Sequence, residues 1–154
     1  MTKGNTESTT LAAGIILFKN NVFKNESGED IFEPNFLLLK CSKKFHWSPP
    51  KGISEHGEES DLLRTAFRET FEETGIDQKQ IKLYDDFVRE IHYEAWNKQK
   101  TVFYYLGECS SDAKVEISNE HSEYKWVNIN QVRQLVEFES LIQIFDDAFR
   151  RIMK

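Results

Sequence analysis

The run Arg68-Glu69-Thr70-Phe71-Glu72-Glu73-Thr74-Gly75-Ile76 constrains this chain more than any other stretch. Leu63, Ala66, Phe67 and Phe71 recur at helical spacing ahead of a glycine, which predicts a helix over 60–74 with Gly75 just past its end. On that helix Glu69, Glu72 and Glu73 stand at i, i+3 and i+4 and share one face. Like charges so placed repel by about 0.2–0.5 kcal/mol per pair, a cost that a divalent cation reverses. Hard ions such as Mg2+ take oxygen ligands, usually one or two carboxylates completed by water and substrate phosphates. A solvated acidic face is the alternative reading. Either way the apolar face is expected to pack and the carboxylate face to point outward.

Upstream, Trp47-Ser48-Pro49-Pro50-Lys51-Gly52 and Gly57-Glu58-Glu59 form a stiff, glycine-interrupted loop that delivers the chain into the helix near Ser60 or Asp61. Leu11–Lys19 and Asn35–Lys40 are apolar runs of strand length. The turn-forming residues between them, Asn20-Asn21 and 25–30, suggest a hairpin with a long tip. Phe87–Tyr93, Thr101–Glu108 and Tyr124–Asn128 read as further strands, with Trp96-Asn97-Lys98-Gln99 turning between the first two, and Leu141–Met153 as a closing amphipathic helix. Strands mixed with two helices suggest a sheet between helices. Residues 1–9 are polar and Thr/Ser-rich, an expected disordered tail ahead of one domain over 10–154.

At 154 residues and 39% hydrophobic the chain suits one domain with a sizeable core. A net charge of -6 without a basic stripe argues against a nucleic-acid groove, while leaving room for a local lysine cluster. Cys41 and Cys109 are far apart and read as reduced thiols. No apolar stretch reaches the ~20 residues of a membrane helix, and none follows a basic N-terminus as a signal peptide does. A cytoplasmic monomer is the expectation, without a nucleic-acid or membrane partner.

The segment from Gly52 to Ile76 resembles the Nudix box: Gly, five residues, Glu, seven residues, Arg-Glu, an apolar residue, any residue, Glu-Glu, any residue, Gly and an apolar residue. Gly52, Glu58, Arg68, Glu69, Glu72, Glu73, Gly75 and Ile76 fill it. Nine residues rather than seven separate Glu58 from Arg68, and Thr70 holds the apolar slot. Glu59 therefore competes with Glu58 for its place. The resemblance implies an α/β/α sandwich with a mixed sheet, α/β in class. It also implies Mg2+ or Mn2+ held by Glu69, Glu72 and Glu73 near the Gly52 carbonyl, with Arg68 holding the carboxylates in place.

Four further features resemble the asymmetrical diadenosine tetraphosphate hydrolase branch of that family. They are His46-Trp47-Ser48-Pro49-Pro50-Lys51-Gly52, Tyr93 to Val102 with its Lys98-Gln99-Lys100, Ser118-Asn119-Glu120-His121 with Tyr124-Lys125-Trp126 after it, and Phe138. The likeness implies that Glu120 binds metal or activates water, with Glu69 and Glu120 rival general bases. It implies that Lys51, Lys98 and Lys100 bind phosphate oxygens. Tyr93 and Phe138 would sandwich an adenine, a stacking worth about 1–3 kcal/mol; either could instead be core. His46 would touch a phosphate or the bridging oxygen, or serve as a structural hydrogen-bonding residue. Where the branch has an extra aromatic before the His-Trp pair, this chain has Ser42-Lys43-Lys44, whose lysines could hold distal phosphates.

The reaction so implied is water attack on the phosphorus fourth from the stacked adenosine of a dinucleoside polyphosphate, releasing ATP and AMP. Two other readings stand beside it. One is a Nudix enzyme for a diphosphoinositol polyphosphate or a nucleoside triphosphate. The other is a catalytically silent, nucleotide-sensing Nudix domain.

Overall fold

The structure is a computed structural model that describes residues 9–95 and 97–154. Strand β1 (Thr9–Lys24) is its axis. Its first half lies between β4 (Lys51–Ile53), antiparallel, and β6 (Lys98–Cys109), parallel; its second half pairs antiparallel with β2 (Asp30–Cys41). The β3 strand (Trp47–Ser48) and β7 (His121–Val127) add to β2, and β5 (Ile81–Ala95) adds to β6, all antiparallel. The result is a mixed seven-stranded sheet. Helix α1 (Leu62–Thr74) accompanies one face; α2 (Ile129–Leu135) and α3 (Glu139–Ile152) accompany the other.

Strand alternation explains the layers. Ala12, Ile16, Phe18, Phe36 and Leu38 pack with Val132, Ile144 and Phe145, whereas Ala13, Ile15, Leu17, Leu37 and Leu39 pack with Ala66 and Ile76. The continuous apolar runs of β1 and β2 are those of strands covered on both sides. The expected α/β/α sandwich with a mixed sheet is what forms. Among the described residues no helix is long and apolar enough to cross a membrane.

Several elements differ from their sequence reading. The hairpin has no long tip: β1 and β2 stay paired out to Lys24 and Asp30, with Val22 opposite Phe32 and Phe23 opposite Ile31. Those cross-strand apolar pairs carry the ladder past Asn20-Asn21. The turn is confined to 25–29, where Asn25 Oδ1 accepts from the Ser27 and Glu29 amides and Gly28 adopts a φ of 82°. A third helix, α2, opens with Asn128 and Gln131 capping each other reciprocally. The stiff loop at 47–53 contains the two short strands β3 and β4. The disordered tail expected over 1–9 lies outside the described residues as far as residue 8, and Thr9 already belongs to β1. Trp96, in the expected turn, lies outside them too.

Helix α1 begins where Asp61 caps the Arg64 amide and ends on Gly75, whose φ of 76° is the left-handed conformation a glycine supplies. Its orientation departs from the periodicity. Phe71 is 54% exposed, and the buried side chains are Thr65, Ala66, Thr70, Glu73 and Thr74. Small and short residues let the helix lie close on the sheet, and that rotation carries Glu73 inward and Phe71 out. The expected outward carboxylate face is therefore corrected: only Glu72 is largely in solvent.

Candidate active site

Close approach is the first requirement of the site. A Cβ on Gly14 would meet the Pro50 carbonyl at 2.3 Å, and one on Gly52 would sit 2.0 Å from Glu69 Cδ. Only glycine lets β4 lie against β1 on one side and the α1 carboxylates on the other. Pro49-Pro50 bend the chain out of β3, and Lys51 enters β4 donating its amide to Glu73 Oε1 at 3.2 Å.

Arg68 organises the acids. Its Nε and Nη2 grip both oxygens of Glu58 at 2.9 Å, Nη1 donates to Glu69 Oε2 at 2.9 Å and to Glu72 at 3.2 Å, and Nη2 also donates to the Ile53 carbonyl at 3.0 Å. Glu58 accepts further from the Glu55 amide and Thr65 Oγ1. The competition between Glu58 and Glu59 is thereby decided: Glu58 is 5% exposed and holds the arginine, whereas Glu59 is exposed and bonds only locally, to the Gly57 amide. The two additional residues before Arg68 are absorbed without parting the pair. Arg68 first, then its neighbours, brings Glu58 down to about 2, and the same contacts hold Arg68 above its ordinary value.

Glu69 and Glu73 have the opposite environment. Burial pushes Glu73 up to about 8, against the Lys51 amide, with Glu69 and Glu120 adding like charge. Glu69 is also raised, again by burial first, with Arg68 opposing. His121 Nε2 stands 3.9 Å from Glu73 Oε1, its Nδ1 is buried without a hydrogen-bond partner, and burial lowers its affinity for a proton. It therefore does not neutralise Glu73.

These groups line a cleft of ≈ 640 Å3 together with Gly52, Lys43, Lys51, Lys100 and Glu120. Lys100 is pulled below its ordinary value by burial and by the nearby charges of Lys51 and Lys44. The cleft thus sets surplus carboxylates beside surplus ammonium groups. A wider groove of ≈ 720 Å3 at the other end of the sheet, between Lys19, Lys79, Lys82 and Trp126, has the single acid Glu108 and no such opposition.

Among the described residues no three histidine, cysteine or acidic side chains converge as a ready-made metal cluster. A hard divalent ion takes few protein carboxylates and completes its shell with water and phosphate. The donors of Glu69, Glu73 and Glu120 are all oxygens, and the buried Glu73 has no cation of its own.

The remaining expected site residues lie apart. Glu72, 53% exposed, stands outside the cleft and is tied to it through Arg68. Lys98 is exposed at the start of β6 and does not line the cleft. Tyr93 and Phe138 do come together, with ring centroids 6.5 Å apart but planes at 78°, edge to face rather than parallel. His46 lies against Phe138 at 5.3 Å rather than in the cleft, and its Nδ1 pairs with Glu137. Sequence reading gave no role to His121, although it sits in a motif singled out, nor to Glu137, which had no local signal.

Residues 10–147 match the NUDIX domain. The chain is 40% identical to the pig (Sus scrofa) bis(5'-nucleosyl)-tetraphosphatase [asymmetrical], over 89% of this chain and 91% of that one. It is 39% identical to the rat (Rattus norvegicus) protein of the same name, over 84% and 86%. Its fold superposes on a crystal structure of a C. elegans Ap4A (diadenosine tetraphosphate) hydrolase binary complex with a TM-score of 0.75 at 32% identity, covering 90% of this chain and 96% of that one.

Proposed function

The chain belongs to the NUDIX domain family, and from that premise we propose that it hydrolyses diadenosine tetraphosphate asymmetrically, to ATP and AMP, with the help of a divalent cation. The observation that carries this reading is the opposition inside one cleft: Glu73 buried beside further carboxylates, and Glu69 half-buried on a guanidinium that it shares with Glu58 and Glu72, facing Lys51 and Lys100 crowded together. A polyphosphate with its cation supplies both missing partners at once. The Tyr93 and Phe138 rings lie outside the cleft, but Tyr93 is paired in register with Lys100 of the cleft, and the two rings give the nucleoside an apolar place to stack. Curated relatives with this activity at about 40% identity over most of the chain support the same substrate.

Each residue's part follows from its position. Lys51 and Lys100, with Lys43 at the rim, hold and neutralise the phosphate chain. Glu69 and Glu73, with the Gly52 carbonyl, would hold Mg2+ or Mn2+, which when bound polarises the phosphoryl group and acidifies water. Arg68 keeps Glu69 and Glu72 oriented from behind. Of the two rival bases, Glu69 has one oxygen engaged by Arg68, and the Glu120 carboxylate accepts no hydrogen bond among the described residues; we assign the proton of the attacking water to Glu120. Tyr93 and Phe138 fix the adenosine so that the fourth phosphorus from it meets that water; the bond from that phosphorus to the oxygen bridging it to the third breaks, ATP departs as the leaving group, and AMP carries the water oxygen. The two unpaired thiols, Cys41 and Cys109, agree with a reducing, cytoplasmic setting. We place the protein there as a monomer acting on a free small molecule.

Hydrolysis of diadenosine tetraphosphate in 18O-labelled water, with products weighed by mass spectrometry, tests the reading. Equimolar ATP and AMP with the label in AMP is expected. Two molecules of ADP refute the asymmetric attack. No turnover alongside cleavage of other substituted diphosphates moves the substrate elsewhere in the family.

A further inference from the structure

Cys41 ends β2 and opens the tight loop to β3: its amide donates to the His46 carbonyl and its carbonyl accepts from the Phe45 amide, both at 2.9 Å. The loop is tied to the start of β7, because the Ser42 amide donates to the Glu120 carbonyl at 2.9 Å. Cys41 thus stands half-buried in the wall of the cleft, in one lining with Lys43, Lys51, Lys100 and His121. The Lys44 and Lys43 amides hydrogen-bond its sulfur and, with the charges of Lys51 and Lys44, hold the thiol below its ordinary value against the opposing effect of burial. A second observation marks the same wall. In the β2–β7 ladder Cys41 is in register with His121, whose side chain is 9% exposed and whose Nδ1 has no hydrogen-bond partner among the described residues. A buried nitrogen so left costs stability until a ligand or water meets it. The other thiol has the opposite setting: Cys109 is 4% exposed, and burial pushes it up to about 11.

We infer that Cys41 is a modification site for a small anionic disulfide of the glutathione disulfide class, and that the adduct closes the cleft to polyphosphate. This goes beyond the hydrolytic reading and uses it only as a readout. The exchange balances without a further reactant. The Cys41 sulfur, as thiolate, attacks one sulfur of the reagent, whose S–S bond breaks as the new S–S bond forms. The other half leaves as a thiolate and takes up the proton that Cys41 released, so Cys41 is oxidised and the departing half reduced. The carboxylates of a glutathionyl group bring counter-charge to Lys43, Lys44, Lys51 and Lys100, as a phosphate chain would. Its peptide groups hold both donors and acceptors, so His121 Nδ1 is matched in either tautomer.

The test is exposure of the native protein to glutathione disulfide, with the adduct located by peptide mass spectrometry. A single adduct on Cys41, with Cys109 untouched, is expected; reaction at Cys109 alone, at both thiols at similar rates, or at neither overturns the inference. Turnover of diadenosine tetraphosphate should fall on the order of tenfold or more in the adduct and return with dithiothreitol. An adduct that turns over normally overturns closure of the cleft. Cys41→Ser should keep its own turnover through the same treatment, and an equal loss there overturns the assignment to Cys41. Cystamine, a cationic disulfide, should modify Cys41 several-fold more slowly than glutathione disulfide, once each rate is scaled to that with a free small thiol. The reverse order overturns the selection for an anion. Should the native protein leave diadenosine tetraphosphate intact, the dinucleotide reading falls by itself. Closure is then read from binding of inorganic tripolyphosphate, which the adduct should weaken; unchanged binding overturns it.

Discussion

Glu58 and Glu73 are the same residue type, almost equally buried at 5% and 7% exposure, and the protein drives them in opposite directions, to about 2 and about 8. Glu58 has its counterion built in, because Arg68 reaches both of its oxygens. Glu73 has a backbone amide, a distant histidine and two further carboxylates. Burial alone does not set a carboxylate's charge; the partner does. The acid that is complete without a ligand belongs to the scaffold, and the acid that is incomplete is the one our proposal gives to the ligand.

The largest expected effect comes from breaking the complete side. Arg68→Ala strands Glu58 in the interior and should cost about 3–5 kcal/mol, read from denaturant unfolding, with activity lost as well. Arg68→Lys should recover only part, since an ammonium cannot grip two oxygens of one carboxylate while holding Glu69 and Glu72.

Breaking the incomplete side should do the reverse. Glu73→Gln is expected to lower kcat on the order of 100-fold or more, beyond the loss typical of groups that merely orient a ligand, while thermal unfolding without metal stays near the native midpoint. Added Mg2+ or Mn2+ should raise the midpoint of the native protein and leave that of Glu73→Gln nearly unmoved. A folded Glu73→Gln protein with near-normal turnover would remove Glu73 from the site.

A smaller effect sharpens the contrast through pH. Glu58 titrates at about 2 in the folded chain and near 4.3 when unfolded. A lowered carboxylate stabilises fully above its unfolded value, and that stability drains away as pH falls through the folded one. Native unfolding free energy should therefore drop between roughly pH 5 and 2, with a shallower acid slope in Glu58→Gln. Phe71→Ser, two residues before Glu73 in α1 yet 54% exposed, should change stability by no more than about 0.5 kcal/mol. A large loss there would mean that α1 packs the face its periodicity suggests.

How much of this was legible in the sequence differs by scale. The helix, its glycine stop, the run of acids and the strand-length apolar segments are local, and each forms within a few residues of where its pattern places it. The reciprocal Asn128–Gln131 cap could have exposed α2, but seven residues give too little periodicity to register. The hairpin tip misled because asparagines usually turn a chain, whereas here Val22 opposite Phe32 keeps the ladder going. His46 and Glu137 meet only because β3 and the approach to α3 are brought to one end of the sheet.

The sequence by itself determined which residues could share a face and how far apart the acids stand, because spacing along a helix or strand is fixed by backbone geometry. It also carried the motif that identifies the family. Tertiary structure decided which face of α1 turns inward, which glutamate keeps a cation and which goes without, and which lysines crowd the cleft. Those outcomes depend on the close fit of Gly14, Gly52 and the threonines of α1 against the sheet, and on the dielectric each carboxylate meets there. Both come from contacts distant in the chain, and no local pattern encodes them.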